Sequence, residues 1–276
     1  MKAGSLKRRV VVALSVAALA AGVALQAQNP KFEPEVGQAG KDVVWVPTSQ
    51  VLVNKMLEMA KVTPQDYVID LGSGDGRTVI TAAKLGARAL GIEYNPDMVE
   101  LSKRNAAQAG VTERATFMKA DLFETDFSKA TVITMFLLPD INLKLRPKIL
   151  DMRPGTRVVS NSFTMEEWTA DETATVTEDC SSWCTALLWI VPAKVEGTWK
   201  MSDGQLVLNQ TFQFLTGTYK SGSGAGSIAD GKLRGDEISF TLGAAKYMGR
   251  VNGTTMAGTF TAAGKSGQWT ATRAGA

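Results

Sequence analysis

Histidine is absent from all 276 residues. That excludes an imidazole base, a Ser-His-Asp triad and a His-ligated zinc. Cysteine is scarce: Cys180 and Cys184 stand four apart in CSSWC, too few thiols for a metal site of their own. In an oxidising compartment the pair can close a disulfide; otherwise they read as two small buried hydrophobes. A basic surplus is missing from the body of the chain. Lys2, Lys7, Arg8 and Arg9 all precede the first acid, Glu33, and without residues 1–27 there remain 26 basic against 27 acidic side chains. This balance disfavours a general nucleic-acid binder, which needs a clustered basic face. No apolar run reaches the roughly 20 residues of a spanning helix. The run at 10–25 stops at 16.

That run follows MKAGSLKRR and precedes LQAQ, with Ala27 as the candidate cleavage residue. Residues 1–27 therefore read as a signal peptide or an uncleaved N-terminal anchor. Arg8-Arg9 also admits the twin-arginine route, which exports folded protein. The expected location is exported, periplasmic or envelope-associated. The alternative is a catalytic body facing the cytosol, tethered through residues 10–25. Residues 28–41, with two prolines and two glycines, read as a flexible lead-in.

From residue 42 to 193 strand and helix signals alternate. YVID, ALGIEY, ATFMKA, ATVITMFLL and TRVVSNSF read as strands, and Asn95-Pro96 opens a helix. This implies an α/β domain with a mostly parallel sheet, ending in a hairpin (TATVTEDC–SSWCTALLWIV) near Pro192. Residues 194–276 differ: 15 of the 26 glycines fall there, among short alternating segments. Gly-Thr-aromatic recurs at 197–199, 217–219 and 258–260. The pattern predicts a small antiparallel β-barrel-like second domain, with SGSGAGS (221–227) as a flexible loop.

The chemistry centres on VIDLGSGDGRTV. Gly76 is followed by Arg77, so the loop is no P-loop, and its third glycine comes one residue early for G-x-G-x-x-G. Acids mark the strand ends: Asp70 before the loop, Glu93 on the second strand and Asp121 on the third. In an open α/β sheet these carboxyl ends converge on one crevice. Together with Asp75 they would repel a pyrophosphate, whereas S-adenosylmethionine brings a sulfonium, an ammonium and ribose hydroxyls. Glu93 then accepts both ribose hydroxyls. Asp121 takes the adenine amine with Leu122 or Phe123 beside the ring, and Asp70, Gly72 and Gly74 face the methionine end. An NAD-binding domain is the main competitor within this fold.

DLGSGDG (70–76), Gly91-Ile-Glu93 and Ala120-Asp121-Leu122 resemble the motifs of class I S-adenosylmethionine-dependent methyltransferases. VPTSQ, PDINLKLRPKIL and TRVVSNSF are similar to bacterial relatives of the ATP synthase c-subunit lysine methyltransferase family. The resemblance covers about residues 45–192 and implies a Rossmann-like seven-stranded sheet with its last strand antiparallel. It places the acceptor at LLPDIN (137–142), with Pro139, Asp140 and Asn142 on one side and Thr48 and Phe163 opposite. Asp140 either holds a lysine ammonium and helps it lose a proton, or is a helix N-cap. No Asn/Asp-Pro-Pro-Tyr signature is present, so nucleic acid is disfavoured as acceptor. The expected activity is methyl transfer to an amine, by analogy a protein lysine, with a small-molecule amine open. An exported, non-catalytic binding protein is the competing reading. In it Trp199, Tyr219 and Trp269 of the barrel contact a ligand instead of filling the interior.

Overall fold

Strand β1 (Tyr67–Leu71) is buried from Val68 onward, as a YVIDL run inside a parallel sheet must be. The computed structural model describes residues 32–222 and 224–275. The signal or anchor at 1–27, its tether at 10–25 and the start of the lead-in lie outside the described residues. Among the described residues no helix is long and apolar enough to cross a membrane.

Helix α1 (Gln50–Met59) precedes β1, with Ser49 as its N-cap. Then follow α2 (Arg77–Lys84), β2 (Arg88–Glu93), α3 (Pro96–Gln108), β3 (Ala115–Lys119), β4 (Val132–Met135), α4 (Pro139–Leu150), β5 (Arg157–Asn161), β6 (Glu172–Thr175) and β7 (Thr185–Ile190). Asn95 caps α3 by accepting from the Asp97 amide, with Pro96 opening the helix where its missing N–H costs nothing. The seven strands order as β3-β2-β1-β4-β5-β7-β6, with β7 antiparallel to both neighbours. Apolar clusters cover both faces: Leu52, Val79 and Val99 lie in one, Ile133, Leu145 and Trp168 in the other. Two layers of helix around one sheet are what near-continuous apolar strands require.

Eight further strands, β8 (Gly197–Met201), β9 (Gly204–Thr211), β10 (Phe214–Ser221), β11 (Gly224–Arg234), β12 (Glu237–Leu242), β13 (Ala245–Asn252), β14 (Thr255–Ala262) and β15 (Lys265–Arg273), close into an antiparallel barrel. Its seam is the β15–β8 ladder. Two of the three recurring Gly-Thr-aromatic glycines mark close backbone approach. A Cβ at Gly217 would lie 2.1 Å from the Val207 carbonyl oxygen, and one at Gly258 1.9 Å from that of Met248. SGSGAGS is corrected: Ser221 ends β10 and Gly224–Ser227 begin β11, because paired ladders satisfy backbone groups that a free loop would leave to water. The exposure that the binding-protein reading expects of the barrel aromatics is corrected too. Trp199 and Trp269 are buried and Tyr219 packs against the same core, since closing the barrel turns alternate side chains inward.

The barrel is joined to the first sheet by built contacts. Phe212 stacks on Trp168 with ring centroids 6.0 Å apart, and buried Gln213 donates from Nε2 to the Thr169 carbonyl at 2.7 Å.

Candidate active site

The strand order reverses on either side of β1, and there the carboxyl ends of β1, β2, β3 and β4 surround a cavity of about 250 Å³. The lead-in to α1 forms the remaining wall. Residues 28–41 were expected to be flexible; their described part instead folds back as a strap. An Ala39–Val44 bridge and paired hydrogen bonds between Gln38 and Trp45, and Gly37 and Trp45, hold it, and residues 38–48 all line the cavity.

Asp70 sits opposite Thr134 in the β1–β4 register, and the Thr134 hydroxyl donates to its Oδ1 at 2.6 Å. Burial pushes the Asp70 carboxyl up to about 7; that hydrogen bond opposes the shift, and the charges of Glu93 and Asp75 add to it. The loop after it turns on Gly72, Gly74 and Gly76, all with positive φ. At Gly74 a side chain has no room, since its Cβ would lie 2.6 Å from Trp45 Nε1 of the strap. Ser73 is buried between them, and its hydroxyl has no partner among the described residues.

Glu93 spans the crevice edge. Its Oε2 accepts from the Gly74 amide and its Oε1 from the Asn95 amide, both at 2.9 Å. Asp75 lines the cavity but gives both oxygens to the Arg77 guanidinium, at 2.6–3.1 Å. Arg77 in turn donates to the Thr48 carbonyl, bracing loop against strap. Asp121 accepts from Lys41 Nζ at 2.5 Å and from the Phe123 amide at 2.9 Å. The Lys41 hydrogen bond holds its carboxyl below the usual range, and the same contact raises Lys41. Leu122 lines the cavity beside it.

The far end is apolar, made by Phe136, Leu137, Leu138, Ile141, Phe163 and Trp183. Thr48 and Phe163 line the cavity, with the Thr48 hydroxyl accepting from Asn161 Nδ2 at 3.1 Å. Pro139, Asp140 and Asn142 do not line the cavity, and their assignment to the acceptor pocket is corrected. Strand β4 ends at Met135 and α4 begins at Pro139, so the short loop between them fills the wall. Asp140 is solvent-exposed in the first helical turn, two residues past the cap position, which Leu138 holds. Asn142 is buried and donates to the Phe163 and Thr164 carbonyls, which fixes the turn after β5. Lys41, Trp45, Thr134, Phe136 and Trp183 were missed by sequence reasoning. The one available signal was a tryptophan held between two cysteines.

The donor set fits a ligand with a cation at one end and hydroxyls in the middle. A buried carboxyl poised near neutrality faces the cavity, a buried hydroxyl lacks a partner, and Glu93 keeps lone pairs beyond those given to backbone amides. Sheet order, glycine loop and strand-end acids together define a class I S-adenosylmethionine-dependent methyltransferase. The ANTKMT methyltransferase domain matches residues 70–172. A protein-lysine N-methyltransferase of Saccharolobus islandicus is 44% identical over 152 residues, 54% of this chain and 94% of that protein. The ATP synthase c-subunit lysine N-methyltransferase of Mus musculus is 35% identical over 130 residues, covering 47% of this chain but only 52% of that protein. Among solved structures, a Salinibacter ruber chain described as an RNA methyltransferase, in complex with S-adenosyl-L-homocysteine, is 45% identical. It matches with TM-score 0.51 over 54% of this chain and 96% of that one. The chain belongs to the methyltransferase family of these proteins, and S-adenosylmethionine is its cofactor.

Proposed function

We propose that the protein methylates the side-chain amine of a protein lysine. The observation that carries this reading is the cavity's polarity: an acidic cofactor end opens onto an apolar, aromatic far end with no charged group of its own. S-adenosylmethionine, when bound, supplies a methyl carbon activated by its sulfonium. Asp70 and the loop backbone at Gly72 and Gly74 hold the ammonium end, Glu93 accepts from the ribose hydroxyls, and Asp121 takes the adenine amine with Leu122 against the ring. Asp75 acts through Arg77 by bracing the loop rather than by touching the ligand.

At the far end the buried side chains of Leu137 and Ile141 exclude water. Desolvation disfavours an ammonium, so a lysine entering there gives up its proton to solvent and arrives as the neutral nucleophile. The residues then need only align it, which is where most of the rate is gained. The lysine names of the relatives support this acceptor. A small-molecule amine is the second reading, favoured by the modest volume of the cavity. RNA, the acceptor in the Salinibacter description, is opposed by the acids that line the cavity, because phosphates would meet like charge.

For location, we propose residues 1–27 as export signal or anchor. The Cys180–Cys184 disulfide supports an oxidising surrounding.

The test is to incubate the protein with methyl-labelled cofactor and, separately, host membranes, soluble proteins and RNA, then hydrolyse the products. Label recovered as methyl-lysine is the expected result. Label found only in nucleosides or in a free small molecule would overturn the lysine assignment.

A further inference from the structure

The loop between β6 and β7 has a feature that the transfer reaction does not by itself require. Cys180 and Cys184 are joined in a disulfide that closes CSSWC, and inside it Trp183 is 44% exposed. An indole left outside when apolar burial was available calls for a reason. Backbone strain sharpens it: Trp183 has φ of 51° and Asp179, just before the closed loop, 54°. Left-handed conformations of non-glycine residues are unfavourable and persist only where the surroundings impose them.

What the strained loop achieves is placement. Trp183 lines the cavity at its apolar end. Its ring lies 5.9 Å from that of Phe136 at 60°, and Phe136 in turn stacks on Phe163 at 5.8 Å and 18°. The three rings come from three different segments: the loop after β4, the turn after β5 and the disulfide loop. All three line the cavity, and an indole set at an angle to a stacked pair presents there the π surface that attracts an alkylammonium.

We propose that Trp183, Phe136 and Phe163 form an aromatic vestibule that recognises the amine acceptor in its cationic form, methylated product included, and that the Cys180–Cys184 disulfide positions Trp183 within it. The proposal rests on the lysine-methyltransferase reading and assigns its acceptor-binding wall. Recognition at the vestibule precedes deprotonation deeper in the apolar end, so one path serves both the charged and the neutral amine. After transfer the methylated ammonium meets the same rings on its way out.

The test uses the full chain and two titrations. The first measures S-adenosyl-L-homocysteine; the second, on protein saturated with it, measures Nα-acetyl-Nε-trimethyl-lysine amide. Wild type, Trp183→Ala, Trp183→Phe and the Cys180→Ser/Cys184→Ser double variant are compared, each checked for an unchanged circular dichroism spectrum. All four should bind the homocysteine derivative within about twofold of one another. Trp183→Ala should bind the trimethyl-lysine probe about five- to thirtyfold more weakly, the range of a desolvated cation–π contact, and Trp183→Phe should recover most of the loss. The double serine variant should lose affinity in the same direction. Wild type that binds the homocysteine derivative but not the probe, or Trp183→Ala that binds the probe as wild type does, overturns the vestibule. Full probe affinity in the double serine variant overturns the positioning role of the disulfide. Wild type that fails the first titration fails the methyltransferase reading itself, a separate outcome.

Discussion

Lys41 of the strap places its ammonium 2.5 Å from Asp121 Oδ2, at the carboxyl end of β3. The same ammonium lies 5.0 Å from the Tyr94 ring centroid. Under the proposed placement of the adenine amine at Asp121, the strap and the cofactor compete for one carboxylate. Both partners are partly exposed, and such a pair is easily exchanged.

Lys41→Met should therefore tighten cofactor binding by about two- to fivefold at low ionic strength, with the gain fading as salt screens the wild-type pair. Titration calorimetry at two salt concentrations measures this. Weaker binding in the variant would mean that Lys41 contacts the cofactor instead of yielding to it.

Asp70 makes the site pH-sensitive. Its folded carboxyl titrates at about 7, against about 3.9 in an unfolded chain. The folded state thus holds this proton more tightly. The stability it contributes is fully present below about pH 3.9 and is lost as pH rises through about 7. A cofactor ammonium beside Asp70 favours the ionised form, so binding near pH 6 should release up to about one proton, and near pH 8.5 almost none. Calorimetry in buffers of different ionisation enthalpy reads the number directly. Asp70→Asn should abolish the release and weaken binding.

Glu93→Gln tests the ribose contact. The substitution keeps the shape but leaves a single acceptor oxygen for two backbone amides, at 2.9 Å each in the wild type. We expect a stability loss of about 1–3 kcal/mol and cofactor affinity about 10- to 100-fold lower. Thermal unfolding and cofactor titration of the same preparation separate the two effects. Unchanged affinity would remove Glu93 from the cofactor contacts.

The barrel should behave as a part of the folded body. Gln213→Ala removes the 2.7 Å bond to the Thr169 carbonyl from a buried junction and should cost about 1–3 kcal/mol. Calorimetric unfolding should show the loss while cofactor affinity stays unchanged, since no barrel residue lines the cavity.

Much of this fold was legible because its signals are local. YVIDL, ALGIEY and VITM are apolar runs bounded by turn residues, and their strand-end acids fall at regular positions that the switch point gathers. The barrel showed in its alternation and glycine content. What escaped was decided by tertiary pairing. Nothing in EVGQAGKDVVW announces that Lys41 reaches Asp121, a residue 80 positions on, or that Trp45 closes on Gly74. Asp140 misled for the opposite reason. Its place in LLPDIN suggested the pocket, yet α4 starts early enough to turn it to solvent, and the wall is made by the apolar residues just before it.

The most direct measurement is titration of the wild-type protein with S-adenosylmethionine at pH 8. One equivalent bound, with affinity lowered at least about tenfold in Glu93→Gln while the variant keeps its fold, is the predicted result. A wild-type protein that is folded yet binds no cofactor at millimolar concentration would contradict the account.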